Sequence, residues 1–262
     1  MNYVRVVSGR LPGVYSCEIV NNDKLTDSVY DMTVLCPEIS CKARAGQFVS
    51  VKCGEERLLR RPISICGADG GKLRFVFEVK GEGTKWLSGR AQGQTLDILG
   101  PLGNGFDISD GNIIVVGGGV GSPPLLYAAA SSKGVVTAVL GFRDSGRIIL
   151  ENEFRAVCDS VYITTDDGSR GFHGTVTAPL TGLLESGGFG AVFACGPRAM
   201  LSPVAEICEI FGVPCQVSLE ERMGCGVGAC VVCACATVKG GAQYMSRVCK
   251  DGPVFDAREV VW

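Results

Sequence analysis

The sequence predicts a β plus α/β chain with an N-terminal all-β domain, a parallel-sheet α/β domain and a small cysteine-rich C-terminal module. Short apolar runs separated by Gly, Pro and Asp fill the chain up to about residue 105. From about residue 112, apolar runs alternate with helical segments after a glycine-rich turn. Five of the fourteen cysteines then fall in one short C-terminal stretch. These three observations place domain boundaries at residues 1–108, 109–219 and 220–262.

The N-terminal part contains short runs that alternate in polarity or are wholly apolar. Regularly spaced short strands of this kind are typical of a sandwich or a barrel. No long helical period interrupts them. The predicted strands are Gly13–Val20, Val29–Val34, Gln47–Lys52, Leu73–Val79 and Thr95–Leu99.

The second part begins with Asn112–Val116, an apolar run typical of a strand buried on both faces. It enters the glycine-rich turn Gly117–Gly121, and Pro123 then opens a predicted helix over Pro124–Ser132. Strands that alternate with helices indicate a parallel sheet with right-handed crossovers. The later predicted elements are strands at Val135–Gly141, Val161–Thr165, Ala191–Ala194 and Gln216–Leu219, and a helix at Pro197–Phe211.

Composition excludes several classes of protein. A net charge of −2 gives no sign of nucleic-acid binding, and no apolar run reaches the ~18–20 residues that span a bilayer. The first twenty residues alternate in polarity, unlike a signal peptide, so we expect a cytoplasmic protein. In a reducing compartment, many cysteines indicate a metal site or small buried side chains. The single histidine, His173, argues against a His-rich metal site.

The C-terminal cysteines have the spacing of a plant-type [2Fe–2S] ligand set. Cys225, Cys230 and Cys233 form Cys-x4-Cys-x2-Cys, and Cys249 follows after fifteen intervening residues. Gly, Val, Gly and Ala lie between the first two ligands and let backbone N–H groups approach the cluster sulfurs. The alternative is a structural zinc site, which usually needs a second close pair of ligands. Cys235 is interpreted as a buried thiol.

A second motif lies in the all-β part and suits a flavin dinucleotide. Arg61-Pro62-Ile63-Ser64 is followed by Val76-Phe77-Glu78 and then by Gly83 and Thr84. Arginine binds pyrophosphate as a charged donor, and a serine hydroxyl can hydrogen-bond flavin N5. Thr84 is expected to cap a short helix at Lys85–Ser88. The alternative is a surface arginine beside an ordinary turn.

Together these motifs resemble the ferredoxin reductase family, and most closely the electron-transfer subunits of class 1B, NAD-dependent dihydroorotate dehydrogenases. The resemblance covers nearly the whole chain. It implies an FAD-binding β-barrel, a nicotinamide domain and a [2Fe–2S] module. It rests on Arg60–Ile65, Leu99–Phe106, Ser218–Cys230 and Asp251–Phe255.

One position departs from that family. The strand before Gly-x-Gly-Thr typically ends in Tyr-Arg there, whereas this chain has Phe77 and Glu78. A carboxylate is unfavourable beside a pyrophosphate. Lys80 lies two residues further on the same strand face and is a candidate for the missing cation.

The resemblance also implies a nicotinamide site. Gly119, Val120, Gly121 and Ser122 resemble the family's turn into its first helix, and Cys195-Gly196-Pro197 resembles its Cys-Gly-Pro strand end. Gly119, Gly121, Ser122 and Cys195 are therefore expected at the NAD site, and the alternative for Cys195 is a core residue. Arg143 is the one candidate for a 2′-phosphate, which favours NAD over NADP. His173 and the turn at Thr165–Asp167 are given no role.

The expected function is electron transfer within a larger enzyme. FAD exchanges two electrons with a nicotinamide, whereas a cluster accepts one at a time. The motifs account for the whole chain, so a partner is expected to oxidise the organic substrate. The resemblance implies an FMN-containing dihydroorotate dehydrogenase subunit, two copies of each chain, and electron flow from FMN through cluster and FAD to NAD in pyrimidine biosynthesis. The alternatives are a diaphorase subunit of a hydrogenase, sulfide dehydrogenase or ferredoxin oxidoreductase, a structural zinc protein, and a stand-alone oxidase.

Overall fold

The computed structural model describes residues 12–108 and 110–262. Its first part is a closed antiparallel barrel with the strand order β1-β2-β5-β4-β3-β6. Side chains that alternate along these strands fill the barrel, with Ile65, Phe75 and Ile98 fully buried. The strands are β1 (Gly13–Lys24), β2 (Val29–Leu35), β3 (Phe48–Val51), β4 (Arg61–Asp69), β5 (Lys72–Glu78) and β6 (Thr95–Leu102), and the helices are α1 (Pro37–Ser40) and α2 (Glu82–Ser88).

Strand β4 was missed by the sequence analysis, which placed Arg61–Ser64 between strands. The structure puts this motif in the first half of β4, where it pairs with Val51–Phe48 of β3. The ladder between β4 and β5 starts only at Ile65, opposite Phe75. Residues 61–64 therefore pair with β3 alone, and their other edge is left free. Pro62 is tolerated at such a position, since proline has no N–H to donate to a second neighbouring strand.

The second part is a sheet of parallel strands with helices on its faces. Its strand order is β10-β9-β8-β7-β11-β12-β15, and only β15 is antiparallel to its neighbour. The elements are β7 (Ile113–Gly118), α3 (Pro123–Ser131), β8 (Val136–Phe142), α4 (Glu151–Val157), β9 (Ser160–Thr165), β10 (Phe172–His173), α5 (Thr177–Ser186), β11 (Ala191–Cys195), α6 (Arg198–Ile210) and β12 (Cys215–Ser218).

The C-terminal part is a cysteine-rich loop followed by a hairpin and a final strand. The hairpin joins β13 (Ala234–Lys239) to β14 (Ala242–Arg247) through Gly240 and Gly241. Both glycines have positive φ, +58° and +80°, as a tight hairpin turn requires. The final strand β15 (Val254–Asp256) returns to pair with β12, so the chain's end completes the central sheet.

Two contacts fix the barrel against helices of the second part. The Tyr127 hydroxyl of α3 donates to the carbonyl of Ala43 in the barrel part (2.9 Å). Arg74 of β5 pairs with Asp31 (2.6 Å) and with Glu153 of α4 (3.2 Å). These contacts hold α3 and α4 against the barrel part.

The predicted fold class, a β-barrel followed by a parallel-sheet domain and a small C-terminal module, is confirmed. No helix in residues 12–108 or 110–262 has the length and apolarity needed to cross a membrane. The expectation that the N-terminus is not a signal peptide rests in part on residues 1–11, which lie outside the described residues. Ser109, at the expected start of the second domain, also lies outside them.

Candidate functional site

The cysteine-rich loop directs backbone donors at a thiol. Cys225 Sγ accepts from the N–H groups of Val227 (3.4 Å), Ala229 (3.3 Å) and Cys230 (3.4 Å). Burial acts to raise the pKa of this thiol, but these N–H donors prevail and lower the pKa to about 6. Donors arranged around sulfur in this way stabilise a thiolate.

The loop reaches this shape through its glycines. Gly226 and Gly228 have φ of +72° and +82°, in the left-handed region that disfavours other residues. A Cβ at Gly228 would also meet the side chain of Lys250 at 2.5 Å. The two glycines between the first two ligands are therefore required by the turn itself.

The four predicted ligands fall into two pairs. The N–H of Cys225 donates to Cys230 Sγ (3.4 Å), and the N–H of Cys249 donates to Cys233 Sγ (3.4 Å). Burial, and then the neighbouring Cys233, raise the pKa of Cys249 to about 12. The first pair lies near the surface, with Cys230 exposed, whereas Cys233 and Cys249 are buried.

This pairing fits a [2Fe–2S] cluster, in which each iron takes two thiolates. A structural zinc needs its ligands around one ion. No group of three or more His, Cys, Asp or Glu side chains suited to one metal ion occurs within residues 12–108 and 110–262. Cys235 lies apart in β13, opposite Ser246, and its burial raises the pKa of its thiol.

The cysteine loop is seated against the barrel. A Cβ at Gly226 would lie 3.5 Å from Leu102 of β6 and 3.7 Å from the Ser50 hydroxyl of β3. Asn104 ties the same region to the C-terminal part, since its N–H donates to the Gly252 carbonyl (2.6 Å). Met223, two residues before Cys225, lines a cavity between the barrel and the central sheet.

That cavity, which we term the flavin cavity, opens where β4 and β5 separate. Because their ladder stops at Ile65 and Phe75, the backbones of Ser64 and Val76 diverge. The volume of the cavity is about 240 Å³. The expected flavin residues on its wall are Pro62, Ile63, Ser64, Val76, Phe77, Glu78 and Thr84, and other parts of the chain add Phe48, Lys80, Val120, Pro124, Ser218, Leu219, Glu220, Glu221, Met223 and Pro253.

Arg61 and Gly83, the other two expected flavin residues, meet beside this cavity. The Arg61 guanidinium lies over Gly83, where an added Cβ would clash with it. Helix α2 starts at Glu82, and the Thr84 hydroxyl accepts from the N–H groups of Lys80 (2.9 Å) and Gly81 (3.2 Å). The expected cap of a helix at Lys85–Ser88 is thus wrong in detail: Gly81 is the N-cap, and Thr84 lies in the first turn. A cation above a helix start suits a pyrophosphate.

The departure at Glu78 is compensated locally. Lys80 Nζ lies 3.3 Å from Glu78 Oε2, and the Glu78 side chain is 23% exposed. Both residues line the flavin cavity and the larger cavity next to it. The pair removes the net negative charge that an isolated Glu78 would place there.

The larger cavity, which we term the nicotinamide cavity, has a volume of about 560 Å³ and lies at the carboxyl ends of the parallel strands. Ligands bind at this edge in open α/β sheets. Gly119 and Gly121 line the cavity, as expected. A Cβ at Gly121 would lie 2.6 Å from Gly196 Cα and 2.7 Å from the Cys195 carbonyl oxygen, so only glycine fits between the turn and β11.

The other two expected nicotinamide residues lie behind the cavity wall. Cys195 is 2% exposed, and burial, with a contribution from Glu220, raises the pKa of its thiol to about 12. The residue after it, Gly196, is the one that lines the cavity. The Ser122 hydroxyl is fully buried and has no hydrogen-bond partner among the described residues.

Sequence reasoning missed several residues of the nicotinamide cavity. Arg147, Thr164, Asp166 and Thr175 line it beside Arg143, the one basic residue that had been considered. The Thr164 hydroxyl is buried and without a partner in the described part of the chain, as a ligand-facing donor would be. The signal that could have found Thr164 and Asp166 is their place at the end of β9, at the sheet's carboxyl edge. His173 is exposed and does not line the cavity.

The two cavities are contiguous. Glu78, Lys80, Val120 and Glu220 belong to the walls of both. The chain thus places a cysteine loop, a cavity between the barrel and the central sheet, and a cavity at the sheet edge in series.

Comparisons with known proteins agree with this arrangement. The model of the family described as iron-sulfur cluster binding domain of dihydroorotate dehydrogenase B matches residues 220–261. The chain is 39% identical over 246 residues to the dihydroorotate dehydrogenase B (NAD(+)) electron transfer subunit of Caldanaerobacter subterraneus subsp. tengcongensis, covering 93% of this chain and 97% of that one. It is 41% identical over 248 residues to the subunit of the same name from Geobacillus kaustophilus, covering 90% and 94%.

Solved structures show the same fold. A chain of the NADH-dependent reduced ferredoxin-NADP oxidoreductase, studied for flavin-based electron bifurcation, matches with a TM-score of 0.84 and 34% identity, covering 98% of this chain and 92% of that one. A ferredoxin NADP+ reductase from Neisseria gonorrhoeae matches with a TM-score of 0.61 and 16% identity, covering 76% and 92%, and supports the fold alone. By its identity to curated relatives over nearly their whole length, the chain belongs to the family of dihydroorotate dehydrogenase B (NAD(+)) electron transfer subunits.

Proposed function

We propose that this chain carries electrons between the FMN of a dihydroorotate dehydrogenase catalytic subunit and NAD, through a [2Fe–2S] cluster and FAD, in pyrimidine biosynthesis. The observation that carries this proposal is the series of sites within one family member: the cysteine loop adjoins the flavin cavity, and the flavin cavity adjoins the nicotinamide cavity. The chain is the electron-transfer subunit of the enzyme and not the subunit that oxidises dihydroorotate.

In this proposal the cluster is held by two cysteine pairs. Cys225 and Cys230 bind one iron, and Cys233 and Cys249 bind the other. The N–H groups that reach Cys225 Sγ from Val227 and Ala229 support this assignment. Such donors stabilise the more negative, reduced cluster. When bound, the cluster accepts and returns one electron at a time.

FAD occupies the flavin cavity in this proposal. Pro62, Ile63, Ser64, Val76, Phe77 and Glu78 surround its ring, and Arg61, Gly83 and Thr84 hold its pyrophosphate. Lys80 provides the cation at the position where Glu78 departs from the family pattern. The ion pair between Lys80 and Glu78 supports this role, because it keeps the lysine at the cavity wall.

NAD occupies the nicotinamide cavity in this proposal. Gly119 and Gly121 let its phosphates approach the turn before α3, whereas Ser122 and Cys195 support the wall from behind. The lining carboxylate of Asp166 favours a free ribose hydroxyl over a 2′-phosphate, which supports NAD over NADP. A faster reduction of the flavin by NADPH than by NADH would contradict this preference.

The domain limits remain part of the proposal, at 1–108 for the FAD domain, 109–219 for the NAD domain and 220–262 for the cluster module. We also propose an assembly with two copies of this chain and two of an FMN-containing catalytic subunit. A cytoplasmic location is supported by the cysteines, since none of the fourteen, all of which lie within the described residues, forms a disulfide.

The test is orotate-dependent NADH oxidation by the tagged chain purified anaerobically from its source cells. We expect the activity to copurify with an FMN-containing second subunit in equal amount. A preparation with FAD and cluster that reduces artificial acceptors with NADH, yet ignores orotate, would show that the sites are assigned correctly and the partner is not.

A second candidate is the corresponding subunit of a ferredoxin oxidoreductase complex. It is favoured by one observation, the match to the NADH-dependent reduced ferredoxin-NADP oxidoreductase over 98% of this chain. The same purification separates the candidates, because a complex of this kind would react with ferredoxin in place of orotate.

A further inference from the structure

The end of the nicotinamide cavity nearest the flavin cavity is where a nicotinamide ring must lie if both cofactors bind as proposed. Hydride transfer requires the reacting atoms of the two rings to approach within about 3–3.5 Å. The residues common to both cavities, Glu78, Lys80, Val120 and Glu220, therefore surround the nicotinamide ring. The adenosine end lies further along the sheet edge, beside Arg143 and Asp166.

The charges at this shared end do not cancel. Glu78 is paired with Lys80 at 3.3 Å. Val120 is apolar, and Glu220 forms no salt bridge within the described residues 12–108 and 110–262. The negative charge of the Glu220 carboxylate is therefore the one that no ion pair neutralises at this shared end.

The position of Glu220 is set by rigid elements. It follows β12 by two residues, and the N–H of the intervening Leu219 donates to the Pro253 carbonyl (2.9 Å). Ser218 is held between Cys195 of β11 and Val254 of β15. The backbone that presents the carboxylate is thus fixed on both sides.

The two forms of the nicotinamide ring differ in charge. The ring of NAD⁺ carries a positive charge, whereas the dihydronicotinamide ring of NADH is neutral. A carboxylate beside the ring attracts the first and has no comparable attraction for the second. All other parts of the dinucleotide are the same in the two forms.

We propose that Glu220 makes the site selective for the oxidised dinucleotide, so that NAD⁺ is captured and NADH is released. This inference rests on the proposed use of NAD by the chain. It assigns Glu220 a binding role at the nicotinamide ring. In the direction that reduces NAD⁺, the attraction disappears as the hydride arrives, which favours departure of the product.

The test compares Glu220→Gln with the unchanged protein, using the complex as purified with its FAD and cluster. Isothermal titration with NAD⁺ gives one affinity. Titration with 1,4,5,6-tetrahydronicotinamide adenine dinucleotide, whose ring is neutral and gives no hydride to flavin, gives the other. Glu206→Gln is the matched control, because it removes the same charge from an exposed residue of α6 that lines neither cavity.

We expect Glu220→Gln to weaken NAD⁺ binding about tenfold, as for a partly screened charge pair at close range, and to change binding of the neutral analogue less than about twofold. Glu206→Gln should leave the ratio of the two affinities unchanged. Equal weakening of both ligands, or no change in the ratio, overturns the role of Glu220. Failure of the unchanged protein to bind either dinucleotide would instead contradict the proposed function, and unaltered FAD content verifies that the variant is folded.

Discussion

At the scale of single residues, the cysteines of the C-terminal part differ in their surroundings and not in their chemistry. The backbone N–H of Cys249 donates to Cys233 Sγ, and the backbone N–H of Cys225 donates to Cys230 Sγ. Cys235 faces Ser246 across a hairpin instead. Position in the fold therefore separates proposed ligands from a buried thiol.

Replacing one proposed ligand should remove the cluster. Cys249→Ser leaves the second iron with one thiolate, so we expect bound iron and acid-labile sulfide to fall from about two of each per chain to near zero. Cys235→Ser is the control and should keep both. Equal losses in the two variants would show that the serine substitutions act on folding and not on ligation.

The Arg61 side chain gives a second prediction at this scale. Because charge-assisted hydrogen bonds to phosphate contribute about 1.5–3 kcal/mol, Arg61→Ala should weaken FAD binding by at least about tenfold. Arg155 pairs with Glu151 on the far helix α4 and lines neither cofactor cavity, so Arg155→Ala should keep the FAD affinity. Flavin fluorescence on dilution measures the FAD affinity of both variants. Equal FAD affinities of the two variants would mean that the pyrophosphate does not bind at Arg61.

The residues predictable from sequence were those with a fixed spacing or a required chemistry, such as the cysteines and Arg61–Ser64. Thr164 and Asp166 were missed because their role depends on the register of β9 in the sheet, which the sequence does not reveal. Cys195 was expected near the nicotinamide, but its side chain points into the core and its neighbour Gly196 forms the wall. Alternate residues of a strand face opposite sides, so one position decides the outcome.

At the scale of elements, the turn between β7 and α3 depends on close backbone approach. Gly121→Ala places a methyl group about 2.6 Å from Gly196 Cα, and neither backbone can yield without moving a strand. We expect a loss of about 1–3 kcal/mol in the free energy of unfolding, as for other overpacked sites. Urea denaturation measures it, and NAD⁺ binding should weaken in parallel.

Gly182 offers the matched alanine substitution in the same domain. It lies in the exposed interior of α5, where an added Cβ meets nothing within 4 Å. Gly182→Ala should raise the free energy of unfolding by about 0.5–1 kcal/mol, since alanine restricts the unfolded chain and favours helix. A loss of stability in this variant would mean that α5 packs differently from the structure described.

Elements with a strong local signature were predicted, and those shaped by partners were not. The helix after Pro123 and the strands β7, β8, β9, β11 and β12 lie within a few residues of their expected bounds, whereas β10, α4 and α5 were not predicted. Strand β4 was missed because Pro62 is a poor strand residue and is tolerated only at the edge left free by β5. The hairpin β13–β14 was missed because its residues flank the cysteine cluster and alternate only weakly.

At the scale of the whole molecule, the three parts are joined by strand pairing and side-chain contacts and are not independent domains. The last strand, β15, crosses back to the sheet of the second part, and Asn104 of the barrel part bonds the backbone of Asp251 and Gly252. Arg74 joins the barrel to α4, and Asp31 raises the pKa of that guanidinium by a direct hydrogen bond. The cavities lie at these junctions, so their relative positions are fixed by the packing that holds the molecule together.

The order of the sites predicts which reactions survive loss of the cluster. The nicotinamide cavity opens directly onto the flavin cavity, whereas the cysteine loop adjoins the flavin cavity at Met223, packs against Ser50 and Leu102, and adds no residue to the wall of the nicotinamide cavity. Transfer between NADH and FAD therefore needs no cluster, but transfer onward to the catalytic subunit does.

Cys225→Ser should keep NADH-dependent reduction of ferricyanide within about twofold, the spread usual for a surface substitution. In the reconstituted complex it should abolish orotate reduction. Loss of both activities with FAD still bound would mean that the cluster lies between NADH and FAD; retention of both would mean that FAD passes electrons to the partner directly.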